Sequence, residues 1–132
     1  MPDLTEPTSG FQAHIGYDLT DWRPDHAIVE APIAPFMSNR QGIPHGGVHA
    51  TLLDTAMGFA GCYTGDPARK QNALTLSMTV NYLAQARGTL LVAEARVTGG
   101  GRRTFFAHAA ITDELGTEVA TATGVFRYRS GS

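Results

Sequence analysis

The sequence predicts one α+β domain in which a long central helix is wrapped by a curved antiparallel sheet of about six strands. Three observations carry this. Val48, Ala50, Leu52, Leu53, Ala56, Met57, Phe59 and Ala60 spread around the whole helical wheel, so this helix has no polar side and needs enclosure. Four strand-like runs follow it with no second helix between them, and a hairpin precedes it. One sheet folded on one helix is the layered solution that buries both.

The bounds agree with a single domain spanning residues 1–132. Apolar content of 42% and charged content of 17% are those of an ordinary globular protein. A formal net charge of -2 gives no electrostatic case for nucleic acid or an anionic membrane surface. Cys62 is the only cysteine, which rules out an intrachain disulfide and suits a reducing compartment. Met1-Pro2-Asp3-Leu4-Thr5-Glu6 has neither the basic nor the apolar region of a signal peptide. No apolar run reaches the ~18 residues that a membrane span requires. These features together predict a cytoplasmic protein.

In chain order, residues 1–10 carry two prolines and little apolar material, and predict a loose end. Phe11 to Ile15 is a short helical or extended lead-in. Ile15–Trp22 and His26–Ile33 flank the turn cluster Arg23-Pro24-Asp25 and read as a hairpin. Pro32 and Pro35 end its second strand, because neither can donate to a ladder. The central helix stops near Thr64-Gly65-Asp66-Pro67. Leu74, Leu76, Met78 and Val80 then alternate with Thr75, Ser77, Thr79 and Asn81, a period of two. Leu90–Val97 follows, with Glu94 and Arg96 on one face. After the Thr98-Gly99-Gly100-Gly101 turn come Thr104–Thr112, the tight Asp113-Glu114-Leu115-Gly116 turn, and Thr117–Tyr128. Read consecutively, the last four runs form an antiparallel meander.

The helix carries one acidic residue, Asp54, and a carboxylate on an enclosed helix is costly unless paired or functional. Its approach is turn-rich and passes through His45-Gly46-Gly47. The segment Asn39-x-x-Gly42-x-x-His45-Gly46-Gly47-x-x-x-x-Leu52-x-Asp54-x-Ala56-x-Gly58-x-Ala60 resembles the signature of hotdog-fold acyl-CoA thioesterases of the phenylacetate-pathway (PaaI-like) type. The runs Leu74–Tyr82 and Gly116–Gly124 resemble that family's strands, so the likeness spans about residues 36–128. It implies the hotdog fold, a helix held in an antiparallel sheet, and hydrolysis of an acyl- or aryl-CoA to free acid and CoA.

Residue by residue, the resemblance implies that the Gly46 N–H and the Asn39 side-chain amide bind the oxyanion. A helix N-terminus offers unpaired N–H groups and partial positive charge for that purpose. Gly46 and Gly47 lack a Cβ, so substrate can approach the backbone closely. Asp54 would attack the thioester or activate a water; apolar surroundings would make it the better base. Thr75 falls where relatives carry a hydroxyl that positions the hydrolytic water. His45 would fix the loop through its ring hydrogen bonds. Met57 would contribute to the acyl pocket with Phe59 and Tyr63. Following the glycine triplet, Arg102 and Arg103 would either meet the CoA phosphates or form a solvated strand end. His45 and His49 share a helix face but have no clear third ligand, so no metal and no cofactor is expected. Cys62 has no activating partner and reads as inert core.

Gly46 and Asp54 lie about 12 Å apart along one helix. Both must come within about 3–3.5 Å of one thioester. Two helices lying antiparallel across a two-fold axis satisfy this; one helix does not. The expected partner is therefore a second copy, in a homodimer with shared sites that pairs further into a homotetramer. Two rival readings are a hotdog dehydratase and a non-catalytic acyl-CoA-binding module. The first would not normally carry this Asn39, His45 and Asp54 spacing, and the second would lack Asp54 or Asn39.

Overall fold

The computed structural model describes residues 6–129, so the first part of the expected loose N-terminal segment lies outside the described residues. Helix α1 (Gly10–Ile15) starts at Ser9, whose Oγ accepts from the Gln12 N–H at 3.1 Å, and ends at Gly16 with φ of 87°. Strands β1 (Asp18–Arg23) and β2 (His26–Pro32) form the expected hairpin, and Pro32 is the last paired residue of β2. A 3-10 turn at Pro35–Met37 leads to the long helix α2 (Gly46–Gly61). Strands β3 (Ala73–Tyr82), β4 (Leu90–Gly100), β5 (Thr104–Asp113) and β6 (Glu118–Tyr128) complete one antiparallel sheet.

The strand order is β1-β2-β4-β5-β6-β3, which corrects the four-strand meander. Of the last four strands only β4, β5 and β6 are consecutive neighbours; β3 pairs with β6 at the edge, and β2 pairs with β4. The connection Leu83–Thr89 makes this possible, because its extended reach of roughly 23 Å exceeds the roughly 14 Å across three strand spacings. It is caught on the way. Leu83 and Ala84 donate to the Val119 carbonyl, Arg87 and Gly88 donate to Asp113 Oδ2, and Thr89 donates to Glu114. The acidic β5–β6 turn is thus a clamp for the crossover as well as a turn.

The sheet receives α2 on a face of small residues. Ala27, Ala31, Ala93, Ala95, Ala107, Ala109, Ala120 and Ala122 are all buried there. Alanines let the helix sit close, and Leu52, Leu53 and Met57 fill the space between at interior density. Phe105 and Phe126 stack at 4.9 Å beneath the C-terminal end of the helix. The buried helix positions are His49, Leu52, Leu53, Ala56, Met57 and Ala60, a stripe at helical spacing. Enclosure is therefore one-sided in the single chain, contrary to the expectation from the apolar wheel. The other side, with Gly47, Thr51, Asp54, Thr55 and Gly58, is only partly covered.

One further boundary differs. Gly99 and Gly100 belong to β4 instead of a turn, and a register shift at Thr98 lets them pair with Phe106 and Phe105.

Candidate active site

The loop before α2 is built to present a helix N-terminus. Its ends are tied by a Ser38–Pro44 bridge and by a 2.7 Å bond from the His45 N–H to the Met37 carbonyl. Asn39 Oδ1 accepts from the Gln41 and Ile43 N–H groups at 2.8 and 3.4 Å, which fixes its amide with Nδ2 as the end left to donate. His45 is the N-cap, and its Nδ1 accepts from the Gly47 N–H at 2.8 Å. Gly47 is thereby used up. Among the described residues nothing accepts from the Gly46 N–H, so it is the free donor of the first turn.

Two side chains hold that turn from behind. Tyr82 Oη donates to the Gly46 carbonyl at 2.8 Å. His49, 7% exposed, donates from Nδ1 to the His45 carbonyl at 3.2 Å, which requires the proton on that nitrogen. Burial lowers the His49 pKa, the bond to the His45 carbonyl opposes that shift, and the neighbouring His45 adds to it. A neutral ring results.

Asp54 sits one helical stretch further on, partly exposed. Thr75 Oγ1 donates to its Oδ1 at 2.6 Å. The alternation expected for β3 would put Thr75 with Ser77 and Thr79, facing away from α2. A β-bulge at Leu76 changes this: Thr75 pairs with Phe126, and Ser77 with Val125. Ala73 precedes the bulge on the inner face, and Met78 and Val80 follow it there, packed against the core. The extra residue turns Thr75 inward to Asp54.

The two ends occupy different clefts. Asp54 and Thr75 line one of about 240 Å³, with Gly58, Phe59, Phe126 and Trp22 as its apolar walls. Gly46 lines another of about 320 Å³, with His49, Tyr82, Leu83 and Gln85. Within one chain the free Gly46 N–H and the Asp54 carboxylate do not face a common space.

Residues 41–120 match the family model described as the thioesterase superfamily. The chain belongs to that superfamily. It is a thioester hydrolase with the hotdog fold, as the motif implied. A Halobacterium salinarum protein provisionally named an esterase is 31% identical over 127 residues, covering 89% of this chain and 83% of the relative. The Escherichia coli PaaI protein, from the phenylacetic acid degradation operon, superposes with a TM-score of 0.82 at 21% identity, over 94% of this chain and 87% of that one. A Streptococcus mutans protein solved with acetyl-CoA bound gives 0.72 at 26% identity, over 86% and 88%.

In this thioesterase Met57 does not line the Asp54 cleft as expected. It is fully buried at the edge of the stripe of α2 that meets the sheet, against Gly124. Phe59 lines the cleft; Tyr63 stands behind, edge-on to Trp22 at 5.8 Å. Arg102 and Arg103 are exposed in the β4–β5 turn, beside the strand end where Tyr128 Oη donates to the Gly61 carbonyl. The structure does not bring them to Gly46 or Asp54 within the chain. Burial, and secondarily the Glu6 carboxylate, push the Cys62 thiol up to about 11, so it carries no thiolate at neutral pH. Among the described residues no three His, Cys, Asp or Glu side chains gather to hold a metal ion, and His45 Nδ1 is already occupied.

Tyr82 and Trp22 are the site residues that sequence reasoning missed. Tyr82 closes the β3 run and could have been marked as an aromatic with a polar handle. Trp22 gave no local signal, since its place at the cleft depends on the hairpin docking over the end of α2.

Proposed function

We propose that this protein hydrolyses acyl- or aryl-CoA thioesters in active sites shared between two copies of the chain. The observation that carries this is the separation just described: the free Gly46 N–H and Asp54, which Thr75 holds, lie on one helix but in different clefts. A second α2 running antiparallel alongside the first places each N-terminus against the other's Asp54.

The sheet edges favour the same arrangement. The β1 edge carries Asp18, Asp21 and Arg23 and a bulge at Thr20, which discourage pairing. The β3 edge has no charge from Ala73 to Tyr82, and Leu74, Leu76 and Leu83 are each more than half exposed there. An apolar, unprotected edge suits continuation by the partner's β3. Pairing of such dimers into a tetramer extends the proposal.

In the mechanism, the substrate carbonyl oxygen lies against Gly46 N–H and Asn39 Nδ2 of one chain, which receive the charge as it develops. Asp54 of the other chain supplies the attack. Its Oδ1 is held by Thr75, leaving Oδ2 to deprotonate a water or to add directly. With water as the nucleophile, the new C–O bond forms, the C–S bond breaks, and CoA leaves as thiolate and takes up the proton. With Asp54 as the nucleophile, CoA thiolate leaves an acyl-aspartate anhydride. Water then hydrolyses this to free acid and Asp54, its proton passing to the thiolate. No step requires a cofactor. Binding of CoA at this chain is supported by the acetyl-CoA complex of the Streptococcus mutans relative. Arg102 and Arg103 are proposed for the CoA phosphates; replacing both with alanine should raise KM and spare kcat.

The test is hydrolysis of short, medium, long, phenylacetyl and hydroxybenzoyl-CoA by wild type and Asp54→Asn. The variant should lose about 100-fold or more in kcat. Equal rates for the two proteins would remove Asp54 from the mechanism.

A further inference from the structure

We infer that Trp22 is the specificity-determining residue for acyl length, a fixed partition that closes the far end of the Asp54 cleft. The inference rests on the thioesterase reading above, with the scissile carbonyl at Asp54. Beside Asp54 this cleft has Gly58, Phe59, Phe126 and Trp22 as an apolar, partly aromatic wall, together with the polar Thr55, Gln71 and Asn72. The acyl tail is the substrate portion that such a wall fits.

The cleft does not end in the protein interior. A second cleft of about 180 Å³ lies beyond, and Glu6, Trp22, Cys62 and Gln71 line both. Trp22 is the largest group in this shared wall. It is also held in place. Its Nε1 donates to the Phe59 carbonyl at 2.8 Å, in the last turn of α2. The indole meets the Phe59 ring edge-on at 5.2 Å and the Tyr63 ring at 5.8 Å. Its neighbour across the hairpin is Ala27, fully buried, which places it on the inner face of β1.

Asp66, Arg69 and Lys70 line only the far side, a charged rim where an alkyl tail gains little, and Glu6 lines both clefts. The wild-type site therefore takes an acyl group of a few carbons or a single ring. Removing the indole joins the clefts and admits a longer chain beneath the stems of Arg69 and Lys70.

The experiment compares kcat/KM for saturated acyl-CoAs from two to sixteen carbons in wild type, Trp22→Ala and Trp22→Leu. Both variants should raise the ratio of long-chain to short-chain kcat/KM at least tenfold. Adding Arg69→Trp, which refills the far cleft, should reverse the gain. A uniform change at every length, in whichever variant folds, would overturn the inference. Trp22 is the only tryptophan, which gives a readout in the unaltered protein. A CoA thioether with a bromine at the tail end cannot be hydrolysed, and its bromine quenches an indole that it touches. At concentrations that inhibit hydrolysis, quenching should grow as the chain lengthens to reach Trp22. Unquenched emission at every length would refute the partition. Absence of acyl-CoA hydrolysis by wild type would instead refute the thioesterase reading.

Discussion

Thr75 Oγ1 donates a hydrogen bond of 2.6 Å to Asp54 Oδ1, joining edge strand to central helix at the carboxylate proposed to start the reaction. A bond to a charged acceptor fixes which oxygen is free, and it exists because the bulge at Leu76 rotates Thr75 inward. Thr75→Ala should lower kcat about 10- to 100-fold, the worth of a hydrogen bond to a charged group. Thr75→Ser should recover most of the loss. Steady-state kinetics on the best acyl-CoA checks both, and an unimpaired alanine variant would make Thr75 an ordinary strand residue.

Tyr82 braces the N-terminus of α2, the proposed oxyanion end, in a comparable way, through the Gly46 carbonyl. Tyr82→Phe keeps the ring, which lies within 3.3 Å of where a Gly46 Cβ would be, and removes only the hydroxyl. The expected cost is about 1 kcal/mol, seen as a several-fold fall in kcat with KM nearly constant. A change confined to KM would place Tyr82 in substrate binding alone.

How much of this was legible depends on distance along the chain. The loop, its glycines, the cap at His45 and the carboxylate at Asp54 fall within one continuous stretch, so their spacing could be read directly. The position of β3 could not. Its partner β6 begins 36 residues after Tyr82, since Glu118 opens that strand, and nothing local to Leu74–Asn81 distinguishes pairing with β4 from pairing with β6. Strict alternation also assumes an unbroken ladder, so one unpaired residue at Leu76 was enough to misplace Thr75's face. Met57 was misjudged because an all-apolar wheel hides which stripe meets the sheet.

The β5–β6 turn makes the stability of the fold pH-dependent. Burial of Asp113 raises its affinity for a proton, but N–H bonds from Thr117, Gly88 and Arg87 outweigh this and hold its pKa well below the usual carboxylate range. A depressed folded-state pKa contributes stability above the unfolded value, near pH 4, and loses it as pH falls toward the folded value. Asp113→Asn should therefore melt below wild type at pH 7, with the gap narrowing steadily below about pH 4. Thermal unfolding across pH 2.5 to 7, followed by circular dichroism, is the measurement. A gap independent of pH would mean that the carboxylate charge is not what the clamp uses.

Packing at the C-terminal end of α2 leaves no room for a side chain at Gly61, where an added Cβ would run into the Phe105 ring. That ring is itself fixed by its stack on Phe126 and cannot withdraw. Gly61→Ala should destabilise the protein by about 1–3 kcal/mol, the usual cost of overpacking, despite alanine's better helix propensity. Denaturant titration checks this, and a more stable variant would contradict the packing described.

The central claim is that one active site needs two chains, and subunit mixing tests it most directly. Asp54→Asn disables the carboxylate end. Asn39→Asp keeps the Oδ1 that orders the loop and removes the Nδ2 donor. Each parent should be nearly inactive alone. Refolded together in equal amounts, half of the dimers should be mixed, each with one site built from an intact Asn39 and an intact Asp54. The mixture should then recover roughly a quarter of the wild-type rate. A mixed preparation no faster than its parents, with exchange of subunits verified, would contradict the shared site.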